Sequence, residues 1–251
     1  MKNSKTLIDT EFDFRQEVGD KDPDIHSPTL KQYHQILWNK PLPNGKLLQI
    51  SSMKSKYLVG TCEDKSIELS SDSIINSLFK RLNNNSTASQ INKECSSEIK
   101  QVQKNGSTIG GFLLFPRRKI DGKLTINAAR GFNNKIIDRF DLTLECIRLY
   151  FLGLDSPLKK DLERYSEFFD LFSNFKGYVQ FFLLDELVND SYTEVKFFTG
   201  FSQAFSNSPL PNDKTEYLNY AENSLRFVRA RNERIKQWHL EEISQSKRPT
   251  A

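Results

Sequence analysis

Residues 108–116 (TIGGFLLFP), 117–134 (RRKIDGKLTINAARGFNN) and 135–151 (KIIDRFDLTLECIRLYF) form one continuous stretch whose reading decides the fold. The apolar FLLF core of 107–115 is bounded by polar residues and predicts a strand covered on both faces. Asp121-Gly122 is a hairpin-type turn signal, so Leu124 to Ala128 is expected to be a second strand paired antiparallel with the first. From 134 to 151 the apolar residues fall at 136, 140, 144, 147 and 151, which is a helical period.

Outward from this stretch the pattern is mixed. Ser27-Pro28 opens a helix running to about Trp38, with Leu30, Tyr33 and Leu37 on its buried side. Pro41, Pro43 and Asn44-Gly45 stop it. LLQIS, KYLVGTC and SIELS then read as three short strands of an antiparallel meander. Ser71-Asp72-Ser73 offers a cap for a helix through about Leu82, and NNNSTAS at 83–89 reads as a mobile loop. A polar helix follows at about 90–104. Further on come aromatic-rich helices around 165–172 and 175–188, and a strand at 192–198. Asp213 with Glu216 forms a capping box for a long final helix to about Glu242.

The expected architecture is α+β: a small antiparallel sheet packed against an aromatic-rich set of helices, with a long C-terminal helix. An acidic N-terminal segment (1–26) precedes a single domain (27–245), and 246–251 is a disordered tail. Within the acidic segment Asp20, Asp22 and Asp24 superficially resemble a calcium loop. Ile25 and Lys31 occupy the positions that need Gly and Glu, so the ligand geometry fails.

Composition narrows the function classes. At 37% hydrophobic and 27% charged, with only short apolar runs, the chain is not a membrane protein. A net charge of +4 permits nucleic acid without requiring it. Cys62, Cys95 and Cys146 are odd in number and lack metal-ligand spacing, which excludes a zinc ribbon and fits a reducing cytoplasmic location.

Several strings together resemble an uncharacterised family of bacterial cytosolic proteins, classed as a domain of unknown function: FDF (12–14), KDPD (21–24), SPTLKQYHQILW (27–38), KPLPNG (40–45), IGGFLLFP (109–116), INAARG (126–131), DRFDLTLECIR (138–148) and SPL (156–158). The resemblance spans 12 to about 238 and implies one compact bacterial domain. It transfers no catalytic residue.

The candidate site comes from the opening stretch. Asp138, Asp141, Glu145 and Arg148, spaced by three, four and three, share one stripe of the expected helix. Carboxylates so arranged can act as acid and base or hold a divalent cation; equally, they can form an intrahelical ion-pair ladder. Lys123, Asn127, Arg130 and Arg139 lie on the incoming strand, turn and helix. Ala129-Arg130-Gly131, read as a turn into the helix, offers an anion site in which Arg130 grips phosphate or carboxylate. Gly110-Gly111 is a second place where backbone can approach a ligand. His34 borders the apolar face of its helix and reads as a packed, hydrogen-bonded side chain. Arg231 and Arg234 belong to a basic last helix whose face can contact phosphates or simply pair with its own acids. The expectation is a protein that binds an anionic ligand, a nucleotide or nucleic-acid phosphate, with hydrolysis as a further activity open to it. The alternative is a non-catalytic protein-interaction module.

Overall fold

The computed structural model describes residues 7–52, 57–75, 85–198, 205 and 208–245. Its sheet is a meander extended by one returning strand. β1 (Gln49–Ser52), β2 (Leu58–Cys62), β3 (Lys65–Ser73) and β4 (Phe112–Pro116) lie in that order, all antiparallel. Gly60 faces Ile50 and Ile67 across its two neighbours, while Ser73 faces Phe112 at the far end of β3. Every residue of β4 is buried, as expected of a strand covered on both faces.

The helices run in chain order. The segment before the sheet carries α1 (Phe14–Val18), α2 (Pro23–His26) and α3 (Pro28–Trp38). Ser27 caps α3, its Oγ accepting from Leu30 N at 2.9 Å, with Pro28 in the first turn. Between β3 and β4 come α4 (Ser86–Glu94) and α5 (Ser96–Asn105), which break at Cys95 where one helix was expected. Ser86 to Ser89 of the expected mobile loop open α4, capped by Asn85 Oδ1. Residues 76–84 and the 246–251 tail lie outside the described residues, and Ser71 to Ser73, expected to cap a helix, instead finish β3.

After β4 the chain forms α6 (Ile126–Phe132), α7 (Phe140–Phe151), α8 (Lys159–Glu163), α9 (Ser166–Phe169), α10 (Phe175–Phe181) and α11 (Lys214–Gln245). Four expectations change here. Leu124 to Ala128 is not a strand: Thr125 Oγ1 caps α6 by accepting from Ala128 N at 3.3 Å, and Ile126, Ala129 and Arg130 are buried at helical spacing. β4 pairs instead with β3. The helix expected from 134 begins at Phe140, because Ile137 and Asp138 adopt left-handed φ values of 44° and 63°. The buried helix expected over 175–188 stops at Phe181, and of the expected strand at 192–198 a single bridge, Val188 to Val195, is formed.

The aromatic residues are the core. Phe168, Phe169, Phe172, Tyr178, Phe181 and Phe182 pack ring against ring at centroid separations of 5.0–6.4 Å. The acidic N-terminal segment is stitched into the same body. Phe14 is fully buried, edge-on to Tyr33 at 5.8 Å and to Phe112 at 5.5 Å.

The last helix docks through Arg231, which is fully buried. Its guanidinium donates to the carbonyls of Gly110, Phe112 and Phe182 at 2.7–3.2 Å. Burial, with no carboxylate among those acceptors, lowers its pKa to about 9. Gly110 permits this approach: its N–H donates to Asn232 Oδ1 at 2.7 Å. What approaches the Gly110 backbone is therefore α11, not a ligand. No helix among the described residues is long and apolar enough to cross a membrane.

Candidate functional site

A polar cleft of about 540 Å³ lies where the acidic segment meets the sheet. Asp22 and Asp24 form one wall, Ser70, Ser71 and Asp72 of β3 the floor, and Arg117, Arg118 and Lys119 after β4 the opposite wall. Thr125 and Asn127 close one end. The cleft continues past Asp72 and Asn127 into a second space of about 520 Å³ bordered by Arg15, Asp20 and Asp138.

Local sequence explains the acidic wall. Asp22 caps α2, accepting from Asp24 N at 3.0 Å, and Pro23 sets the first helical turn. Lys31 reaches back from α3 to the carbonyl of Ile25 at 2.7 Å. Glu17 is committed elsewhere, accepting from the hydroxyls of Ser27 and Thr29. Asp24 is therefore held over the β3 floor by an ordered turn.

Electrostatics single out two of the acids. Burial, then Asp72, then Asp22 raise the pKa of Asp24 well above the ordinary carboxyl value, with Ser71 opposing the shift as a hydrogen-bond partner. Burial pushes Asp72 up to about 6, against the pull of Arg130 and with a further push from Asp138. Oδ1 of Asp24 and Oδ1 of Asn127 are buried without a hydrogen-bond partner.

The basic wall is more open. Arg117 lies on the ring of Tyr57 at 3.2 Å and pairs with Glu68 at 3.1 Å. Arg118 and Lys119 are exposed at the rim.

The residues expected to form the site are only partly brought together. Asn127 and Asp138 line the cleft. Arg130 sits behind it, fully buried: Nη1 pairs with Asp72 and lies 3.6 Å from Asp138, Nη2 donates to the Asp138 carbonyl at 3.0 Å, and Nε donates to Thr143 Oγ1 at 3.1 Å. Arg130 is mid-helix, so the expected turn into a helix N-terminus at 129–131 is absent. Asp141 and Arg139 are both fully buried, paired with each other; Asp141 also accepts from Phe198 N at 2.9 Å. Glu145 and Arg148 form a bidentate pair at 2.7 and 2.8 Å on α7. Lys123 is exposed on the turn before α6. The four-residue stripe is thus split, with Asp138 on the left-handed turn and Asp141, Glu145 and Arg148 on the helix. Among the described residues, no group of three or more His, Cys, Asp or Glu is arranged to hold a metal ion.

Asp24, Asp72, Arg118 and Lys119 were missed. The signal was present in two places, the Asp-rich turn at 20–24 and the Arg-Arg-Lys run directly after a buried strand, but nothing local says that they face each other. His34 behaves as expected of a packed side chain. It is fully buried, its Nδ1 accepts from Trp38 Nε1 at 2.9 Å, and its Nε2 lies 3.0 Å from Ser71 Oγ. Burial, then Arg231, lowers its pKa to about 3, so it stays neutral. On the last helix Arg234 pairs with Glu186 at 2.7 Å and with Asp185 at 3.5 Å.

Compared with curated proteins and with solved structures, the chain finds no match. Residues 8–235 do match a family of unknown function, DUF6994, which spans the acidic segment, the whole sheet and most of α11. The chain belongs to that family.

Proposed function

We propose that the protein binds a small anionic ligand of the phosphate or nucleotide class in the cleft between Asp24 and Lys119, and that Asp24 and Asp72 exchange protons with it. The observation that carries this reading is that two carboxyls of raised pKa, Asp24 and Asp72, line one cleft with the exposed Arg118 and Lys119. Groups whose environments move their proton affinity towards neutrality, inside a cleft, are suited to general acid and base work. The basic rim supplies attraction for the anion, and the pair supplies or removes a proton at a hydroxyl or phosphate oxygen, as hydrolysis requires. Arg130 fixes the Asp72 carboxyl; it does not reach out to the ligand. A divalent cation, if used, arrives with the phosphate. The three free, buried cysteines are consistent with the bacterial cytoplasm as the setting.

Calorimetric titration with orthophosphate, nucleotides and short RNA tests this. Arg118→Ala combined with Lys119→Ala should weaken binding at least tenfold and reduce its salt dependence. Equal affinity in the double variant, or no binding of any of these ligands, refutes the assignment.

A second reading, a non-catalytic interaction module, is favoured by a different feature. Phe132, Leu152 and Leu154 are 68%, 57% and 51% exposed, and large apolar side chains in the open suit a protein partner. Replacing these three with Ser should then abolish capture of a partner while leaving the cleft's titration unchanged.

A further inference from the structure

We infer that Trp38, His34 and Ser71 form a one-way hydrogen-bond chain from the core that presents a hydroxyl proton to Asp24, making His34 and Ser71 positioning residues for the cleft. The inference takes its functional meaning from the cleft reading above. The direction of the chain follows from atom types. An indole nitrogen only donates, so the 2.9 Å contact from Trp38 Nε1 obliges His34 Nδ1 to accept. A ring that accepts at Nδ1 and is neutral carries its proton on Nε2. That N–H points at Ser71 Oγ, 3.0 Å away, and occupies an oxygen lone pair. The hydroxyl's own proton is then free to turn towards Asp24, which lines one small enclosed space with His34 and Ser71 and whose buried Oδ1 has no other hydrogen-bond partner.

The same logic excludes the more familiar use of a serine beside a histidine. A ring nitrogen that already holds a proton cannot take one from Ser71, so this serine is not activated as a nucleophile. The arrangement is also well enclosed. Trp38 and His34 are fully buried and Ser71 is 6% exposed, so bulk water does not compete for these bonds. The charged groups facing the chain are Lys40 and Arg231 over the Trp38 ring, Arg231 of α11 also at the His34 end, and Asp22 and Asp72 at the Asp24 end. Burial, then Arg231, keeps the imidazole neutral and thereby preserves the direction. The aspartates repel ionised Asp24, and the Ser71 hydroxyl opposes them.

The test is carbon-13 titration of the Asp24 carboxyl in the folded full chain, assigned by its disappearance in Asp24→Asn. Ser71→Ala should move the Asp24 midpoint upward by about one pH unit, a tenfold change in proton affinity. Ser71→Thr, which keeps a hydroxyl, should restore it. Trp38→Phe removes the indole donor, lets the imidazole take its other tautomer and draws the Ser71 proton back to Nε2; the midpoint should again rise. Should Ser71→Ala fail to fold, Ser71→Thr and Trp38→Phe decide between them. An Asp24 midpoint within about 0.2 units of wild type in every folded variant overturns the inference. Because the titration needs no ligand, absence of phosphate or nucleotide binding removes the proposed function and leaves this result standing, and an unmoved midpoint does the reverse.

Discussion

Gly110→Ala is a direct probe of how the last helix is held. A methyl group placed on Gly110 meets Val228 O and Asn232 Oδ1, each at 2.5 Å, when real contacts of this kind are longer by nearly an ångström. Val228 O is helix backbone and moves only if α11 moves. Asn232 is equally constrained, since its Oδ1 accepts from Gly110 N at 2.7 Å and its Nδ2 donates to Thr108 Oγ1 at 2.8 Å. Shifting the helix also strains the 2.9 Å bond from Arg231 to the Gly110 carbonyl. Weakening these three bonds at about 1 kcal/mol each, together with an overpacking cost of about 1–3 kcal/mol, gives roughly 4–6 kcal/mol. At about 2–4 °C per kcal/mol for a chain of this size, the Tm should fall by roughly 8 °C or more. Gly122→Ala is the control: its φ is +68° with open space around it, so its cost is the left-handed backbone alone, about 1–2 kcal/mol. Melting followed by circular dichroism distinguishes the two. If Gly110→Ala melts no lower than Gly122→Ala, the close docking of α11 on the 109–111 turn is wrong.

Asp24→Asn should raise the Tm at pH 8 and match wild type near pH 4. The folded-state pKa of Asp24 is raised, so its favourable contribution is complete below the unfolded value near 3.8 and is lost as pH rises through the folded value, by about 1.36 kcal/mol for each unit of the shift. Equal Tm differences at the two pH values would show that Asp24 is not perturbed. Arg231→Met leaves the carbonyls of Gly110, Phe112 and Phe182 without this donor and should lower stability by about 3 kcal/mol in urea unfolding. Arg234→Gln removes partly exposed ion pairs and should change it by less than about 1 kcal/mol. Similar losses for the two variants would place Arg231 on the surface.

What the sequence disclosed, and what it hid, follows the range of the interactions. The Ser27-Pro28 start, the three-strand meander and the Asp213 cap depend on neighbours a few residues apart, and they stand as read; Asp213 Oδ1 accepts from Glu216 N at 2.9 Å. Residues 124–128 misled because Asp121-Gly122 makes a turn of the same kind whether a strand or a helix follows, and the Thr125 cap was the decisive local clue. The stripe on 138–148 failed for a non-local reason. Asp138 N donates to Arg130 O at 2.9 Å, and Arg130 returns a bond to the Asp138 carbonyl, which holds two residues in left-handed backbone and delays the helix to Phe140. The cleft was the least legible feature. Asp24 and Lys119 line one cleft in a fold where Phe14 anchors the first segment against Tyr33 and Phe112, and aromatic packing across so long a separation leaves no spacing to read.

β4 lies at the edge of the described sheet, and an apolar edge strand such as FLLFP is a template for pairing with a second molecule. Arg231 occupies the carbonyl oxygens of Gly110, just before that strand, and of Phe112, its first residue. One side chain from the end of the sequence therefore serves as a fifth strand in miniature. Losing it adds a solubility defect to the stability defect: detachment of α11 would free the Gly110 and Phe112 carbonyls at one end of an apolar edge strand. Aggregation of this protein should accordingly begin from detachment of its last helix, before the sheet itself comes apart.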